Sequence, residues 1–340
     1  MKIECYECGK TRKGLESVCS NCGSPFRIYP DFRYHETLEE NFPYIHAQIS
    51  LGECTTPLVR RDGTAFKLDY FQPTFSYKDR GSKAMVSFLA ERKKDVGATL
   101  SEDSSGNAGA SVTAYGSIAG FKVNVFVPAT ATGPKLDLIK AYGATVKTIK
   151  GSREDVRNAA MNDGSFYVGH SVFPEFRDGI RTLSYELFNQ YDSKLPENIY
   201  IPTSAGTLLI GMYEGFRHLF ESGEISKIPT LIACQPDLMS PIKSALSGVE
   251  YVPSGKKSLA DALVTEKSPL LGPLLKILRE HGSTITVSEK EIIAARTRLA
   301  QSGIFTEFSS AVAYAASMKH NVKGEKLVIL TGNGLKNKFH

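Results

Sequence analysis

The amino-acid sequence predicts an α/β protein whose parallel sheets are flanked by helices. Two observations carry this. From about residue 64 onward, short β-branched runs alternate with segments whose apolar residues recur at the helical period. That rhythm belongs to parallel sheets covered by helices. The loops richest in Gly, Ser, Thr and Asn also fall where those strands would end, and ligands in such folds sit at the carboxyl ends of strands.

Taken in order, the chain opens with Cys5, Cys8, Cys19 and Cys22 in the pattern C-x2-C-x10-C-x2-C. Two such knuckles favour one tetrahedral Zn2+ over disulfides in a reducing compartment, and four thiolate ligands would close the coordination sphere, making the metal structural. Disulfide or redox pairing is the competing reading. Gly9 and Gly23 follow the second cysteine of each knuckle, where a positive φ is often needed. Residues 24–56 read as an irregular aromatic strap with Tyr29, Phe32, Tyr34, Phe42 and Tyr44. Then come a strand over 65–70, a helix over 78–93, a strand over 98–102 and a helix over 108–119. A strand over 122–127, a helix over 135–142 closed by Gly143, and a strand over 145–149 follow. Further strands are expected at 198–202, 231–235 and 327–331, with a helix from Leu208. Residues 248–273 read as a looser, mobile surface segment. The expected organisation is a ribbon over 1–28, a strap and part of a large domain over 29–80, a small α/β domain over 81–165, and the rest of the large domain over 166–340.

Composition narrows the function classes. A chain of 340 residues with 41% apolar and 23% charged side chains is ordinary globular material, long enough for about two domains. The net charge of +5 is mild, and its densest cluster, Arg92-Lys93-Lys94, reads as a solvated helix face, so no nucleic-acid partner is expected. No apolar run approaches the roughly 18 residues of a membrane span, and the N-terminus has no apolar signal core. A cytoplasmic protein is the expectation.

Four loops could carry chemistry. Gln72–Gly81 follows a strand and opens a helix, placing Lys78 at a helix N-terminus. The helix dipole there disfavours an extra cation, and a neutral amine suits Schiff-base chemistry. Ser104-Ser105-Gly106-Asn107-Ala108-Gly109 offers small residues at a helix start and an amide donor at Asn107; taken alone, such a turn is most often a plain helix cap. Ser204-Ala205-Gly206-Thr207 brings N–H groups, hydroxyls and a helix dipole to one point without a P-loop lysine, which suits a phosphate but not a nucleoside triphosphate. Thr331-Gly332-Asn333-Gly334-Leu335-Lys336 ends an apolar strand with a hydroxyl able to meet a ring edge. An amine for an imine, an amide for a ring oxygen, a phosphate cradle and a hydroxyl for a ring nitrogen are together the demands of pyridoxal 5′-phosphate.

At these residues the sequence resembles the threonine synthase family. The blocks are Pro73-Thr74 with Ser76–Gly81, Ser105-Gly106-Asn107, Gly206–Leu209, Gly303–Ala311 and Leu330–Lys336. The resemblance implies pyridoxal-phosphate fold type II, with two doubly wound open sheets flanked by helices, and a role in amino-acid biosynthesis. It makes Lys78 the Schiff-base lysine and main proton-transfer base. Asn107 would face the ring oxygen, Ser204, Ala205, Gly206 and Thr207 the cofactor phosphate, and Thr331 the ring nitrogen. Ser104, Ser105, Ser171 and Arg177 are expected at the substrate. The implied reaction turns O-phospho-L-homoserine and water into L-threonine and phosphate, in a homodimer with a phosphorylated amino-acid substrate.

The sequence departs from the family at Ala108, where Thr is usual, and at Ala205, where Asn is common. It departs again at Phe176, where alignment on Gly179 would place a phosphate-binding Arg. Each charged hydrogen bond lost on a substrate phosphate costs roughly 1.5–3 kcal/mol. Arg177, Arg181, Ser104 and Lys83 are the candidates for compensation. These departures keep two other readings open: β-elimination or β-replacement on serine, O-phosphoserine or a similar amino acid, and a non-catalytic binding homologue.

Overall fold

The computed structural model describes residues 1–337. At the N-terminus, β1 (Lys2–Cys5) pairs antiparallel with β2 (Phe26–Tyr29), closing the cysteine segment into a small ribbon. The strap that follows has one 3-10 turn, Leu38–Asn41, and buries Phe42 and Tyr44 against the body. The hairpin β3 (Leu58–Arg61) and β4 (Thr64–Leu68) leads into the main body. Next, β5 (Thr99–Glu102), β6 (Lys122–Pro128), β7 (Thr145–Ile149) and β8 (Phe166–Tyr167) form a parallel sheet in the order β7-β6-β5-β8. Finally, β9 (Asn198–Pro202), β10 (Thr230–Pro236), β11 (Gly282–Val287) and β12 (Lys326–Leu330) rejoin the first hairpin. The resulting sheet has the order β11-β10-β9-β12-β4-β3, with every pair parallel except β3–β4.

Most expected elements appear within one to three residues of their predicted ends. The helix opening at Lys78 is shorter, ending at Ala90 before a separate turn of helix at Lys93–Val96. Residues 247–270 contain no helix or strand. Three edge strands, β3, the two-residue β8 and β11, were not expected from the pattern. β3 shows two half-buried and two exposed residues, and β11 buries only its last two. Such edges lack the continuous apolar run of a central parallel strand. No helix among the described residues is long and apolar enough to cross a membrane.

Two close helix contacts hold the site. Helix Lys78–Ala90 packs on the short helix Pro174–Gly179. A Cβ on Gly81 would lie 2.6 Å from the Phe176 ring, and one on Gly179 would lie 2.6 Å from the Ala84 Cβ. Helix Thr207–Glu221 likewise meets its neighbour through Gly211 and Gly215, whose added Cβ atoms would come within 2.6 Å of Ile180 and 2.7 Å of Ser184. Below the first helix lies a buried ionic network. Arg80 donates to Asp69 through Nε at 3.0 Å and Nη2 at 2.6 Å, and to Glu186 at 2.8 Å. Lys67 also pairs with Glu186 and donates to Gln190 Oε1 and to the Thr56 carbonyl, each at 2.7 Å. Buried charges persist only with such pairing and hydrogen bonding, so this network fixes the helix that opens at Lys78.

Candidate active site

The order β9-β12-β4 places three strand ends side by side. Their loops are Thr203–Gly206, the turn from Thr331, and the segment leading to Lys78. These are three of the four loops singled out above. Hydrogen bonds tie them together. The Tyr77 N–H donates to the Thr331 carbonyl at 3.1 Å, the Asn333 N–H to the Phe75 carbonyl at 3.2 Å, and Ser76 bridges to Gly332. The Tyr77 hydroxyl lies 3.4 Å from Thr207 Oγ1. The fourth loop comes from β5 in the other sheet. Its helix, Asn107–Ile118, is joined to the Lys78 segment where the Ser111 hydroxyl donates to Asp79 Oδ1 at 2.6 Å. Asp79 also accepts from the Thr74 N–H at 2.6 Å and the Thr74 hydroxyl at 2.5 Å. Burial still outweighs these bonds and pushes the Asp79 carboxyl up to about 6.

Lys78 is the first residue of its helix and half-buried. Its Nζ lies 4.8 Å from the centroid of the Tyr77 ring and 5.7 Å from that of Phe176. At the second loop, Asn107 Nδ2 donates to both oxygens of Glu307, at 3.1 and 3.0 Å, and Oδ1 accepts from Lys336 Nζ at 2.5 Å. Lys336 Nζ also donates to the Thr74 carbonyl at 3.1 Å, and burial lowers this lysine to about 8 despite the nearby Glu307. Lys135, from the small-sheet side, reaches Asp261 at 2.8 Å and Glu307 at 3.2 Å. Burial opposes its charge, but Glu307 and Asp261 outweigh burial and raise it. Glu307 and Lys336 lie within the blocks quoted above, yet neither was expected as a site residue.

At the third loop, Gly206 has φ +98°, a left-handed conformation that glycine adopts at little cost, and the fifteen-residue helix Thr207–Glu221 begins directly after it. Ser204 Oγ accepts from the Thr265 N–H at 3.2 Å and the Ala205 carbonyl accepts from Ser268 Oγ at 2.6 Å, so the turn is braced from residues 247–270. At the fourth, Thr331 Oγ1 is 3.0 Å from Ser310 Oγ, which also accepts from the N–H groups of Thr331 and Gly332 at 2.9 and 3.0 Å. Ser104 and Ser105 are half-buried in the turn after β5, and Ser104 Oγ accepts from the Gly106 N–H at 3.3 Å.

The substrate side differs from expectation. Arg177 points away from this cluster. The residue is 3% exposed, and its guanidinium donates to the Ser171 carbonyl at 2.9 Å and to the Phe26 carbonyl of the ribbon. Helical neighbours are turned about 100° from one another, so Phe176 faces Lys78 while Arg177 faces the ribbon. Two of the other candidates for compensation, the cations, are also engaged: Lys83 with Glu53 at 3.0 Å, and Arg181 with Asp178 at 2.6 Å, the Tyr185 hydroxyl at 2.6 Å and the Asn41 carbonyl at 3.0 Å. Ser171 is half-buried, with Oγ 3.4 Å from His170 Nε2. A pair that sequence patterns did not signal, buried Glu102 and half-buried His170, stands beside the Phe176 ring.

The donor set fits pyridoxal phosphate. An amine lies among ring faces, a left-handed glycine opens a helix N-terminus, and an amide and a hydroxyl are held by defined partners. The ribbon fits a metal in the same sense. The four cysteine Sγ atoms lie within 4.8 Å of one another, with Cys5–Cys22 at 3.4 Å, Cys8–Cys19 at 3.6 Å and Cys8–Cys22 at 3.6 Å. An edge of about 3.8 Å is expected for four sulfurs around Zn2+ at 2.3 Å. Gly9 and Gly23 have φ +69° and +72°, as the knuckle pattern required.

Fold and donor set together suit an α/β enzyme that uses pyridoxal phosphate. A family model described as pyridoxal-phosphate dependent enzyme matches residues 49–332, and the chain belongs to that family. It is similar to the threonine synthase of Methanosarcina acetivorans, at 28% identity over 93% of this chain and 86% of that one. It is also similar to the serine racemase of Dictyostelium discoideum, at 28% identity over 86% and 88%. Among solved structures, a pyridoxal 5′-phosphate-dependent aspartate racemase superposes with a TM-score of 0.73 at 22% identity, covering 89% of this chain and 97% of the other.

Proposed function

We propose that this protein is a lyase of the threonine synthase type, converting O-phospho-L-homoserine and water to L-threonine and phosphate. The observation that supports it most is the side-by-side placement of the β9, β12 and β4 loops, with the Asn107 loop brought to them from the second sheet. The similarity to threonine synthases over nearly the whole chain points the same way. Lys78 would hold the cofactor aldehyde, Ser204–Thr207 its phosphate, Asn107 its ring oxygen and Thr331 its ring nitrogen. When bound, the cofactor supplies an electron sink for bonds at the α and β carbons of an amino acid. Lys78 then moves protons at those carbons. Glu307 and Lys336 orient the Asn107 amide between them, and the buried contacts at Phe176 keep water from the amine. The protein works in the cytoplasm as a homodimer, with a structural Zn2+ in the ribbon.

A second reading is favoured by one observation: Arg177, Arg181 and Lys83 are all engaged elsewhere, and Phe176 stands at the wall of the site. Such a site suits β-elimination or β-replacement on serine or an O-substituted serine. Purified protein supplied with pyridoxal phosphate is tested against phosphohomoserine, O-phosphoserine and serine, scored for phosphate, threonine and keto acid. Threonine from phosphohomoserine supports the first reading, and turnover of serine compounds alone supports the second. Lys78→Ala should abolish the lysine-bound cofactor absorbance and lower turnover by about 10³-fold or more; a variant that keeps both would refute the site.

A further inference from the structure

We propose that Glu102, His170 and Ser171 form a second proton-transfer unit beside Lys78, in which His170 Nε2 accepts the proton of the water that adds to the substrate. This deepens the threonine synthase reading and rests on it. Glu102 ends β5 with no exposure, and both of its oxygens meet His170. The backbone N–H of His170 donates to Oε2 at 3.2 Å, and Nδ1 lies 2.8 Å from Oε1. An ionised Glu102 accepts the Nδ1 hydrogen, which leaves Nε2 as the bare nitrogen. The Ser171 hydroxyl, 3.4 Å away, marks the side from which a water would approach this nitrogen.

The imidazole and the amine both lie against the Phe176 ring, and the charge of Lys78 is felt at His170. The His170 ring is 5.7 Å from the Phe176 centroid, and Lys78 Nζ is also 5.7 Å from that centroid. The other charges facing the pair are accounted for. Asp103 is paired with Arg153 at 3.2 Å and accepts from the Tyr167 hydroxyl at 2.9 Å. Burial, then the charge of Lys78, keeps His170 neutral. Burial raises Glu102 to about 7, with Arg153 and Lys78 pulling against it. A buried carboxylate answered by an imidazole rather than by a close Lys or Arg is costly for a purely structural role. Its setting beside the reactive amine gives it a use.

The step balances. As the water oxygen bonds to the β-carbon of the unsaturated substrate left by phosphate release, the Cα=Cβ π-bond opens and its electron pair takes a proton from Lys78 at Cα; the water O–H bond breaks, its proton passes to Nε2, and the Glu102 carboxylate stabilises the imidazolium. The proton then goes to the released phosphate dianion and leaves with it, restoring neutral His170. Lys78 keeps the carbon-bound protons, so the two bases divide the work.

His170→Gln, which preserves a hydrogen bond to Glu102, separates these roles. The probe is O-phospho-L-homoserine in D2O. Exchange of its α-hydrogen, followed by NMR, should stay within about threefold of wild type, while threonine formation falls by about 100-fold. Wild-type threonine formation should rise as pH passes through about 7, where Glu102 ionises. In the apoprotein, 15N NMR of histidine should show the Nδ1–H tautomer for His170 at pH 8 and its loss in Glu102→Gln. Undiminished threonine formation in His170→Gln, a parallel loss of exchange and product, or the Nε2–H tautomer in wild type would each overturn the proposal. A wild-type enzyme that makes no threonine would overturn it together with the function it rests on; a wild type that does, beside an unaffected variant, would leave that function standing.

Discussion

Gly179→Ala tests whether the contact between helices Lys78–Ala90 and Pro174–Gly179 sets the active-site wall. Gly179 is the last residue of its helix and is not in a positive-φ conformation, so alanine meets no backbone strain there. The substitution should even gain up to about 1 kcal/mol in helix propensity. Against this, the new methyl would sit 2.6 Å from the Ala84 Cβ and closer still to the Arg80 carbonyl oxygen. Carbon atoms rest at about 3.5–4.0 Å, so the helices must part by about 1 Å. Overpacking of this kind costs about 1–3 kcal/mol, and a clash with backbone puts it at or above the upper end. The expected net loss is about 2 kcal/mol, roughly a 30-fold shift in the folding equilibrium. It should be read as a lower urea midpoint at unchanged slope, followed by circular dichroism. The parting also moves Phe176 relative to Lys78, so uptake of the cofactor should weaken. Gly116→Ala is the control: its methyl would meet only a side-chain methyl, Val123 Cγ2, at 2.7 Å among its closest contacts, and should cost about half as much. A Gly179→Ala protein within about 0.5 kcal/mol of wild type would refute the claim that this contact is fixed.

Three further outcomes are expected. Lys336→Met removes the charged partner of the Asn107 carbonyl oxygen, so cofactor affinity measured by absorbance titration should fall about 10- to 100-fold, matching one charge-assisted hydrogen bond of about 1.5–3 kcal/mol; unchanged affinity would detach Lys336 from the site. Glu102 is raised from 4.5 to about 7, so the folded state holds its proton where the unfolded chain has lost it. Stability therefore falls as pH rises from about 4.5 to about 7, by up to about 3 kcal/mol, and denaturation of Glu102→Gln should lack that part of the decline. Elemental analysis should find one zinc per chain, and Cys22→Ser should abolish it. Because Arg12 of the ribbon pairs with buried Glu175 at 2.6 Å and Phe26 accepts from Arg177, losing the metal should also lower the melting temperature of the whole protein; a metal-free ribbon with unchanged melting would refute the coupling.

The sequence made legible what is local. A loop between a β-branched run and a helical period identifies itself by its small residues, and Lys78, Asn107, Gly206 and Thr331 all stand at such boundaries. The knuckle glycines are equally local, since their φ values follow from turns of a few residues. Two local signals went unread: Ser152 with Asp155, and Ser288 with Glu291, form capping boxes that open the helices Arg153–Met161 and Glu289–Gln301.

What the sequence hid depends on distant partners. Glu307 meets Asn107 across 200 positions, Lys336 meets it across 229, and His170 meets Glu102 across 68. No periodicity relates such pairs, because the fold alone closes those distances. The misplacement of Arg177 has a different cause. On the helix Pro174–Gly179, one position is a turn of about 100°. That turn gives Glu175 and Arg177 to the ribbon and Phe176 to the amine of Lys78. The same six residues therefore anchor the N-terminal segment and pack against Lys78. A substitution that restored an arginine at 176 would have to bury a guanidinium against Gly81, where the ring now leaves no room for even a methyl. Any substrate phosphate must consequently be met by groups other than the one that the family alignment assigns to this position.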